Sequence, residues 1–211
     1  ILLLFTTYSF AGNINKEKPK YLWFDAEANF ERFSSKDSIS YYLEKAKDVG
    51  FNQVVVDVKP IYGEVLYKSK ILPPLTTVHN KVIERDWDYL QYFIDEAHRL
   101  GLKVTVSTAV FTAGHPATCE GLVYEDKRWN GKTCLEYMSN NKMLDIRDDK
   151  QKVGAFLNPV RKDVRNFALS IIREIVKNYD IDAYALDYCR YPADNSDFSN
   201  ETRKAFENYL G

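Results

Sequence analysis

The sequence predicts an α/β fold, namely a (β/α)8 or TIM barrel of which about the first four β/α units lie in this chain. Three observations predict it. A helix, a turn and a strand follow one another at residues 48–60, 99–111 and 178–188. The strand cores are apolar on both faces, which is typical of a parallel sheet covered by helices. Amphipathic helical patterns separate the strands, as in α/β domains.

Four strands are predicted, of which the second to the fourth are built around β-branched or small apolar residues. They lie at residues 21–25, 53–59, 103–111 and 182–188. A (β/α)8 barrel typically needs about 250 residues, whereas this chain has 211. Four β/α units are half of such a barrel, so we expect residues 20–211 to form its N-terminal half. No G-x-G-x-x-G follows any strand, which argues against a dinucleotide-binding fold.

Helices are predicted between the strands, at residues 37–49, 86–100 and 160–178, with a last helix near 199–210. Gly50 and Gly101 fit the position at which a left-handed residue ends a helix. Asn158 is a candidate N-cap of the third helix, with Pro159 in its first turn. Residues 112–157 are predicted to form one long loop, of the kind that barrels carry at the catalytic face.

The composition excludes some classes of partner. The net charge is −1 and there is no run of like charges, which argues against electrostatic binding to nucleic acid or to an anionic membrane. Aromatic residues make up 14% of the chain and include 15 tyrosines. Aromatic rings suit a sugar-binding cleft, although core or half-buried strand positions explain many of them equally well.

The chain begins with an apolar stretch of about a dozen residues, I-L-L-L-F-T-T-Y-S-F-A-G. This stretch is too short to span a bilayer, and Ser9 and Ala11 fit the small-residue rule for signal cleavage. We therefore interpret residues 1–19 as the remains of a secretory signal and a linker. A secreted, periplasmic or cell-envelope protein without stable membrane insertion is expected. The alternatives are a buried first strand and a lipid-modified or membrane-anchored start.

The cysteines and histidines do not predict a metal site. Cys119 and Cys134 lie in the long loop, where they could pair in an oxidising compartment or remain free thiols. There is no C-x-x-C motif, and the three histidines are scattered. No metal ion and no organic cofactor are expected.

Polar side chains stand where the predicted strands end, and three of the four ends carry a carboxylate. In a barrel, function lies at the carboxyl ends of the strands. A charge at the end of an apolar strand is costly unless it is paired or functional. Asp187 ends the fourth strand, and Arg190 follows three residues later. Asp187 is therefore a candidate nucleophile kept ionised by Arg190, and a structural ion pair is the alternative.

Further candidates line the other strand ends. Asp57 and Lys59 alternate along the second strand, so both are expected to point towards a sugar or to pair with the first strand. Glu27 is a candidate for sugar binding or for capping, and Asn158 for ligand contact or for a helix cap. Tyr188 completes the predicted sugar subsite. Trp129 and His115, in the long loop, are candidates to stack on or bond to a ligand.

The segment L-N-P-V-R-K-D-V-R-N-F-A-L-S-I-I-R-E-I-V-K-N-Y-D-I-D-A-Y-A-L-D-Y-C-R-Y-P, residues 157–192, resembles glycosyl-hydrolase-like family ten. That family reads roughly L-N-P, a helix, Y-D-V-D-G-I and F-D-D-Y-x-Y-P. The resemblance extends to residues 50–69 and 97–104. It implies a (β/α)8 barrel related to the α-amylase clan, and a secreted or envelope enzyme that acts on glycans, including peptidoglycan glycan strands.

The resemblance also implies roles for individual residues. Asp187 matches the first Asp of F-D-D-Y-x-Y-P and the clan's nucleophile position. Arg190 and Tyr191 match the x-Y of the same motif. Tyr188 replaces the second Asp, and Ala183 replaces a glycine. The clan's general acid follows strand five, and we expect the chain to end before it.

The sequence thus predicts a secreted glycoside hydrolase acting on O-glycosidic bonds of a polysaccharide or a peptidoglycan glycan. A non-catalytic glycan-binding protein on a degenerate barrel is the alternative. A metal-dependent hydrolase is a weaker third reading, because no pair of histidines has ligand spacing.

Overall fold

A computed structural model describes residues 18–211 of the chain, so the apolar start that predicts a signal lies outside the described residues. In chain order the elements are β1 (Tyr21–Phe24), α1 (Lys36–Asp48), β2 (Gln53–Lys59), β3 (Thr77–Val78), β4 (Lys81–Val82), α2 (Tyr89–Arg99), β5 (Lys103–Ala109), α3 (Leu122–Glu125), β6 (Leu135–Tyr137), β7 (Met143–Asp145), α4 (Lys162–Asn178), β8 (Ala183–Asp187) and α5 (Asn200–Leu210). Short 3-10 turns occupy Lys127–Trp129 and Ile146–Asp148.

One parallel sheet of four strands, in the order β1-β2-β5-β8, organises the chain. Each strand is joined to its neighbour by a segment that contains a helix, α1, α2 or α4, which is the repeating β/α unit that the sequence predicts. In the register, Phe24 is opposite Val56, Asp57 opposite Ser107, and Ala109 opposite Asp187. The carboxyl ends of all four strands therefore meet at one edge of the sheet.

The core lies between the sheet and the helices. One face of the sheet buries alternate valines of β2 and β5, and each of the three helices buries an apolar stripe against it. These residues are Val54, Val56, Val58, Val104, Val106, Ile39, Leu43, Leu90, Phe93, Ile94, Val164, Ile171 and Ile175. Full burial of one such side chain contributes about 1.5–3 kcal/mol to the stability of the fold. This layer therefore determines which face of the sheet packs against the helices and which remains available for function.

The helix ends follow local chemistry. Asp88 caps α2 by accepting from the N–H of Gln91, and Gly50 and Gly101 have φ of 92° and 68°. The predicted left-handed glycines are therefore confirmed. Asn158 does not cap α4, because the helix begins later, after Arg161.

Residues 112–157 are more ordered than the predicted loop. They contain α3, the two 3-10 turns and the β6–β7 hairpin. Backbone bonds join their two ends: Ala113 donates to Ala155 O at 3.0 Å, and Leu157 donates to Phe111 O at 2.8 Å. The segment is thus a compact insertion at the carboxyl edge of the sheet. Cys119 and Cys134 within it are free thiols.

Candidate active site

A cleft of about 310 Å³ opens at the carboxyl edge of the sheet. It is lined by Asp25, Glu27, Asp57, Pro60, Ile61, Ala109, His115, Val153, Asp187 and Tyr188. Four of these ten residues are carboxylates, and they come from the ends of β1, β2 and β8. The parallel register brings them together although they are up to 162 residues apart in sequence, from Asp25 to Asp187.

Asp187 is exposed to the cleft at the last position of β8. Its Oδ1 accepts a hydrogen bond from the backbone N–H of Tyr188 at 2.8 Å. Tyr188 has φ of 46°, a left-handed backbone that turns the chain immediately after the strand. This turn fixes the orientation of the Asp187 carboxylate, because one of its oxygens is held by the backbone while the carboxylate faces the cleft.

Tyr188 forms one wall of the cleft. Its ring packs edge-on against Phe156, with centroids 5.6 Å apart. Burial, and then the charge of Asp187, raise the pKa of the Tyr188 hydroxyl. The hydroxyl therefore remains a neutral hydrogen-bond donor beside the carboxylate, as a sugar-contacting residue would require.

The carboxyl groups of Asp57 and Glu27 both have raised pKa values. Burial, and then the charge of Asp25, raise the pKa of Asp57 to about 7. The Oδ1 atom of Asp57 is buried without a hydrogen-bond partner within residues 18–211. Burial and Asp25 also raise the pKa of Glu27. Near neutral pH Asp57 can therefore donate as well as accept a hydrogen bond.

Asp25 is a cleft residue that the candidate list from sequence lacks. Its Oδ1 accepts from the backbone N–H of Ala28 at 2.7 Å, which orders the chain as it leaves β1. The signal was present in the sequence, since Asp25 is the last residue of the predicted strand 21–25. Its place beside Asp57 in the cleft requires the pairing of β1 with β2, which local sequence does not specify.

Lys59 does not line the cleft, which corrects its assignment to sugar binding. Its side chain is 1% exposed, and its Nζ donates to the carbonyl oxygens of Ala109 and, at 2.8 Å, of Thr112. The pairing of β2 with β5 shifts register between Asp57 and Lys59, so the expected alternation breaks there. Burial lowers the pKa of Lys59 to about 7, against the opposing charge of Asp57. Lys59 thus joins β2 to the end of β5.

Arg190 does not form the predicted ion pair with Asp187: no salt bridge joins these two residues in the described part of the chain. Its guanidinium donates to the carbonyl oxygens of Tyr191 and Pro192, both at 3.0 Å. It also lies over the rings of Tyr188 and Phe156, 5.2 and 5.7 Å from their centroids. Arg190 therefore supports the ring of Tyr188 and the turn after β8, and reaches the site only through them.

Asn158 is buried away from the cleft, which corrects its assignment to substrate binding. Its amide donates to Asp197 Oδ2 at 2.6 Å and to Ser199 Oγ at 3.1 Å, and its Oδ1 accepts from the N–H of Val160 at 3.0 Å. These bonds tie the segment before α4 to the start of α5. The residue is structural.

The two ligand candidates of the long loop, His115 and Trp129, lie in different surroundings. His115 lines the cleft and stacks on Tyr62, with ring centroids 5.7 Å apart. Trp129 is buried and packs on Phe167, with ring centroids 4.5 Å apart, so it belongs to the core.

Among residues 18–211, no group of three or more His, Cys, Asp or Glu side chains could hold a metal ion. In the same range, no helix is long and apolar enough to cross a membrane.

Comparison with known proteins adds relatives in both sequence and structure. A family model described as "Glycosyl hydrolase-like 10" matches residues 20–211. An S-layer-related protein of Niallia circulans is 35% identical over 204 residues, which are 92% of this chain and 12% of that protein. Glycosyl hydrolase DigH of Escherichia coli K12 is 28% identical over 149 residues, 69% of this chain and 32% of that protein. The chain thus spans a third or less of these relatives.

Solved structures share the fold. A hypothetical protein from Ruminiclostridium thermocellum superposes with a TM-score of 0.55 at 18% identity, covering 90% of this chain and 88% of that one. Alpha-L-fucosidase isoenzyme 2 from Paenibacillus thiaminolyticus gives a TM-score of 0.55 at 20% identity, covering 83% of this chain and 23% of that one. The predicted partial (β/α)8 barrel is confirmed. With the family model matching almost the whole described chain, the protein belongs to the glycosyl hydrolase-like 10 family.

Proposed function

We propose that this protein is a secreted glycoside hydrolase that cleaves O-glycosidic bonds in a polysaccharide or a peptidoglycan glycan. One observation carries the proposal: carboxylates from three strand ends converge in a single cleft at the carboxyl edge of a barrel sheet. Glycoside hydrolysis uses carboxyl groups in two different protonation states on either side of the bond. Family membership and the name of the DigH relatives favour the same chemistry.

Asp187 is assigned as the nucleophile. It is an exposed cleft carboxylate at the end of β8, and the N–H of Tyr188 orients it. Nucleophilic attack on a sugar requires a fixed, ionised carboxylate. Support for this role comes from position and from the match of Asp187 to the nucleophile position of the clan.

Asp57, Glu27 and Tyr188 are assigned to the sugar subsite. The pKa of about 7 makes Asp57 a donor towards sugar oxygens near neutral pH. Glu27, whose pKa is also raised, lines the same cleft. The ring of Tyr188 offers a face for the C–H surface of a sugar, and its hydroxyl remains protonated. The general acid is proposed to come from a carboxylate after a fifth strand of the whole protein.

The non-catalytic alternative has one observation in its favour. Where the family carries a second Asp after the nucleophile, this cleft has the ring of Tyr188, which suits the stacking of a sugar better than proton transfer. A glycan-binding protein would use the same subsite without turnover.

The experiment separates these two functions in the full-length protein. Reducing-sugar release from polysaccharides and from purified peptidoglycan glycan strands is measured for the wild type, for Asp187→Asn and for Asp194→Asn. Asp194 is an exposed aspartate seven residues further on and outside the cleft lining, so it is a matched control. Glycan binding is measured by calorimetry on the same proteins.

We expect Asp187→Asn to lose hydrolysis by several orders of magnitude while retaining glycan binding, and Asp194→Asn to match the wild type. Full turnover in Asp187→Asn would reject the nucleophile assignment. Glycan binding by the wild type without any sugar release would favour the non-catalytic alternative.

A further inference from the structure

Cys119 and Lys150 are in direct contact within the insertion at residues 112–157. The Nζ atom of Lys150 lies 2.6 Å from the Sγ atom of Cys119, although the residues are 31 positions apart. Cys119 belongs to the same turn as His115, and Lys150 stands three residues before Val153. His115 and Val153 both line the cleft. A thiol and an amine thus meet between two segments that each contribute one lining residue to the cleft.

A backbone carbonyl holds the amine of Lys150 against the sulfur of Cys119. Lys150 Nζ also donates to the carbonyl oxygen of Pro116 at 2.6 Å, and Cys119 Sγ lies 3.8 Å from that same oxygen. One carbonyl therefore positions both reactive atoms. Cys119 is exposed, so a small oxidant in solution can reach the sulfur.

The other two cysteines differ from Cys119, and all three of the chain's cysteines lie within the described residues. Cys134 is buried, its Sγ lies 3.8 Å from Leu157 O, and burial raises the pKa of its thiol. Cys189 is exposed, and no lysine hydrogen bond to its sulfur is found within residues 18–211. Cys119 therefore combines solvent access with an amine in bonding position, whereas Cys189 has the access alone.

We propose that Cys119 and Lys150 form an oxidative cross-linking site for hydrogen peroxide. In the first step, the Cys119 thiol is oxidised to a sulfenic acid while peroxide is reduced to water. In the second step, Lys150 releases a proton from its ammonium group and its nitrogen lone pair attacks the sulfenic sulfur. The S–N bond forms as the S–O bond breaks, and the hydroxyl group leaves as water. The product is a sulfenamide, a known fate of a sulfenic acid beside a nitrogen nucleophile.

The cross-link would join the turn 115–120 to the segment 148–153. These segments carry one lining residue each, His115 and Val153, so the bond would tether two segments that border the cleft. Asp187 and Asp57 lie on β8 and β2, outside the linked segments. The inference does not depend on the proposed glycosidase function, because the chemistry needs only the thiol, the amine and peroxide.

The test is mass spectrometry of the full-length protein after treatment with hydrogen peroxide, blocking of free thiols, and proteolysis. We expect a linked pair of peptides containing Cys119 and Lys150, with the summed mass of both peptides less two hydrogen atoms. Dithiothreitol should release the two peptides unchanged. The link should fall to background in Cys119→Ser and in Lys150→Gln, and Lys150→Gln should instead accumulate Cys119 as sulfenic or sulfinic acid.

Cys189 is the internal control, since it is equally free but lacks the amine. It should oxidise without linking to any lysine. The proposal is overturned if Cys119 and Cys189 give the same unlinked products, or if the linked species persists in Lys150→Gln. Circular dichroism of both variants before oxidation verifies that a missing link does not reflect a misfolded chain.

Discussion

Asp57 on β2 lines the same cleft as Asp25, which directly follows β1, and burial together with the charge of Asp25 raises the pKa of Asp57 to about 7. This pair carries the main electrostatic feature of the cleft. Two carboxylates at adjacent strand ends resist simultaneous ionisation, so one of them retains its proton into the neutral range. The opposing influences, the backbone N–H groups of Ala26 and Lys59, are too weak to cancel burial.

Replacement of Asp57 by Asn should flatten the dependence of stability on pH. Because the folded-state pKa is raised above an unfolded value of about 3.9, protonated Asp57 stabilises the fold below that value, and this contribution is lost as the pH rises through about 7. The wild type should lose up to about 4 kcal/mol of unfolding free energy between pH 4 and 7.5 from this group.

Urea denaturation across that pH range measures the effect. Asp57→Asn stays neutral, so its curve should lack this decline, whereas the surface control Asp194→Asn should follow the wild type. Parallel curves for Asp57→Asn and the wild type would show that Asp57 titrates as an ordinary carboxylate.

Replacement of Lys59 by Met should destabilise the fold by about 2 kcal/mol. The change leaves the buried carbonyl oxygens of Ala109 and Thr112 without their donor, and an unsatisfied buried acceptor costs about 1–3 kcal/mol. Relief from burying a charge offsets part of that loss. Lys142→Met, at an exposed position, is the control and should be neutral. A variant that instead keeps full stability but loses glycan binding would restore Lys59 to the sugar subsite.

Replacement of Asn158 by Ala should lower the unfolding free energy by about 2 kcal/mol, because the buried Asp197 carboxylate loses a donor at 2.6 Å. Glycan binding should be unchanged at a temperature where the variant is folded. Thermal melts and calorimetry together test this, with exposed Asn200→Ala as the matched substitution. Impaired glycan binding with an unaltered melt would contradict the structural role.

Two glycines with positive φ provide a test of backbone strain and close packing. Gly121 and Gly131 have φ of 97° and 70°. A Cβ at Gly121 would lie 2.5 Å from Tyr62 O, whereas a Cβ at Gly131 would meet nothing within 4 Å. Gly131→Ala should cost about 1 kcal/mol from its positive φ alone. Gly121→Ala should cost about 3 kcal/mol or more, because its backbone (φ 97°, ψ 178°) is open essentially to glycine alone and overpacking adds to that strain. Equal losses on denaturation would mean that the turn near Tyr62 yields without strain.

The repeating part of the fold could be predicted from sequence because each β/α unit has a recognisable local residue pattern. The paired apolar faces of residues 53–59, the glycines after α1 and α2, and the stripe of α4 all follow from short-range periodicity. The same reasoning found Asp187, Asp57 and Glu27 as cleft residues, since a charge that ends a buried strand stands out. Parallel pairing then brings strand ends together automatically.

The positions of the other candidate residues could not be predicted, because their contacts depend on atoms that are distant in sequence. Lys59 was expected in the cleft on the assumption of strict alternation, but the shift in register beside Asp57 and two carbonyls some fifty residues away decide its position. Arg190 is close to Asp187 in sequence, yet a left-handed residue between them turns the chain away. The bonds of Asn158 to the start of α5 are likewise invisible in local sequence.

The left-handed backbone at Tyr188 also sets which amino acids evolution can use at that position. Asn, Asp and Gly adopt φ near 46° more readily than other residues, and β-branched residues are nearly excluded. The Asp that the family motif carries here therefore suits the turn by itself, whereas a tyrosine adopts it at an energetic disadvantage. Its ring gains contacts with Phe156 and Arg190 in return. In this chain, another aromatic side chain is therefore the replacement that would best keep these contacts.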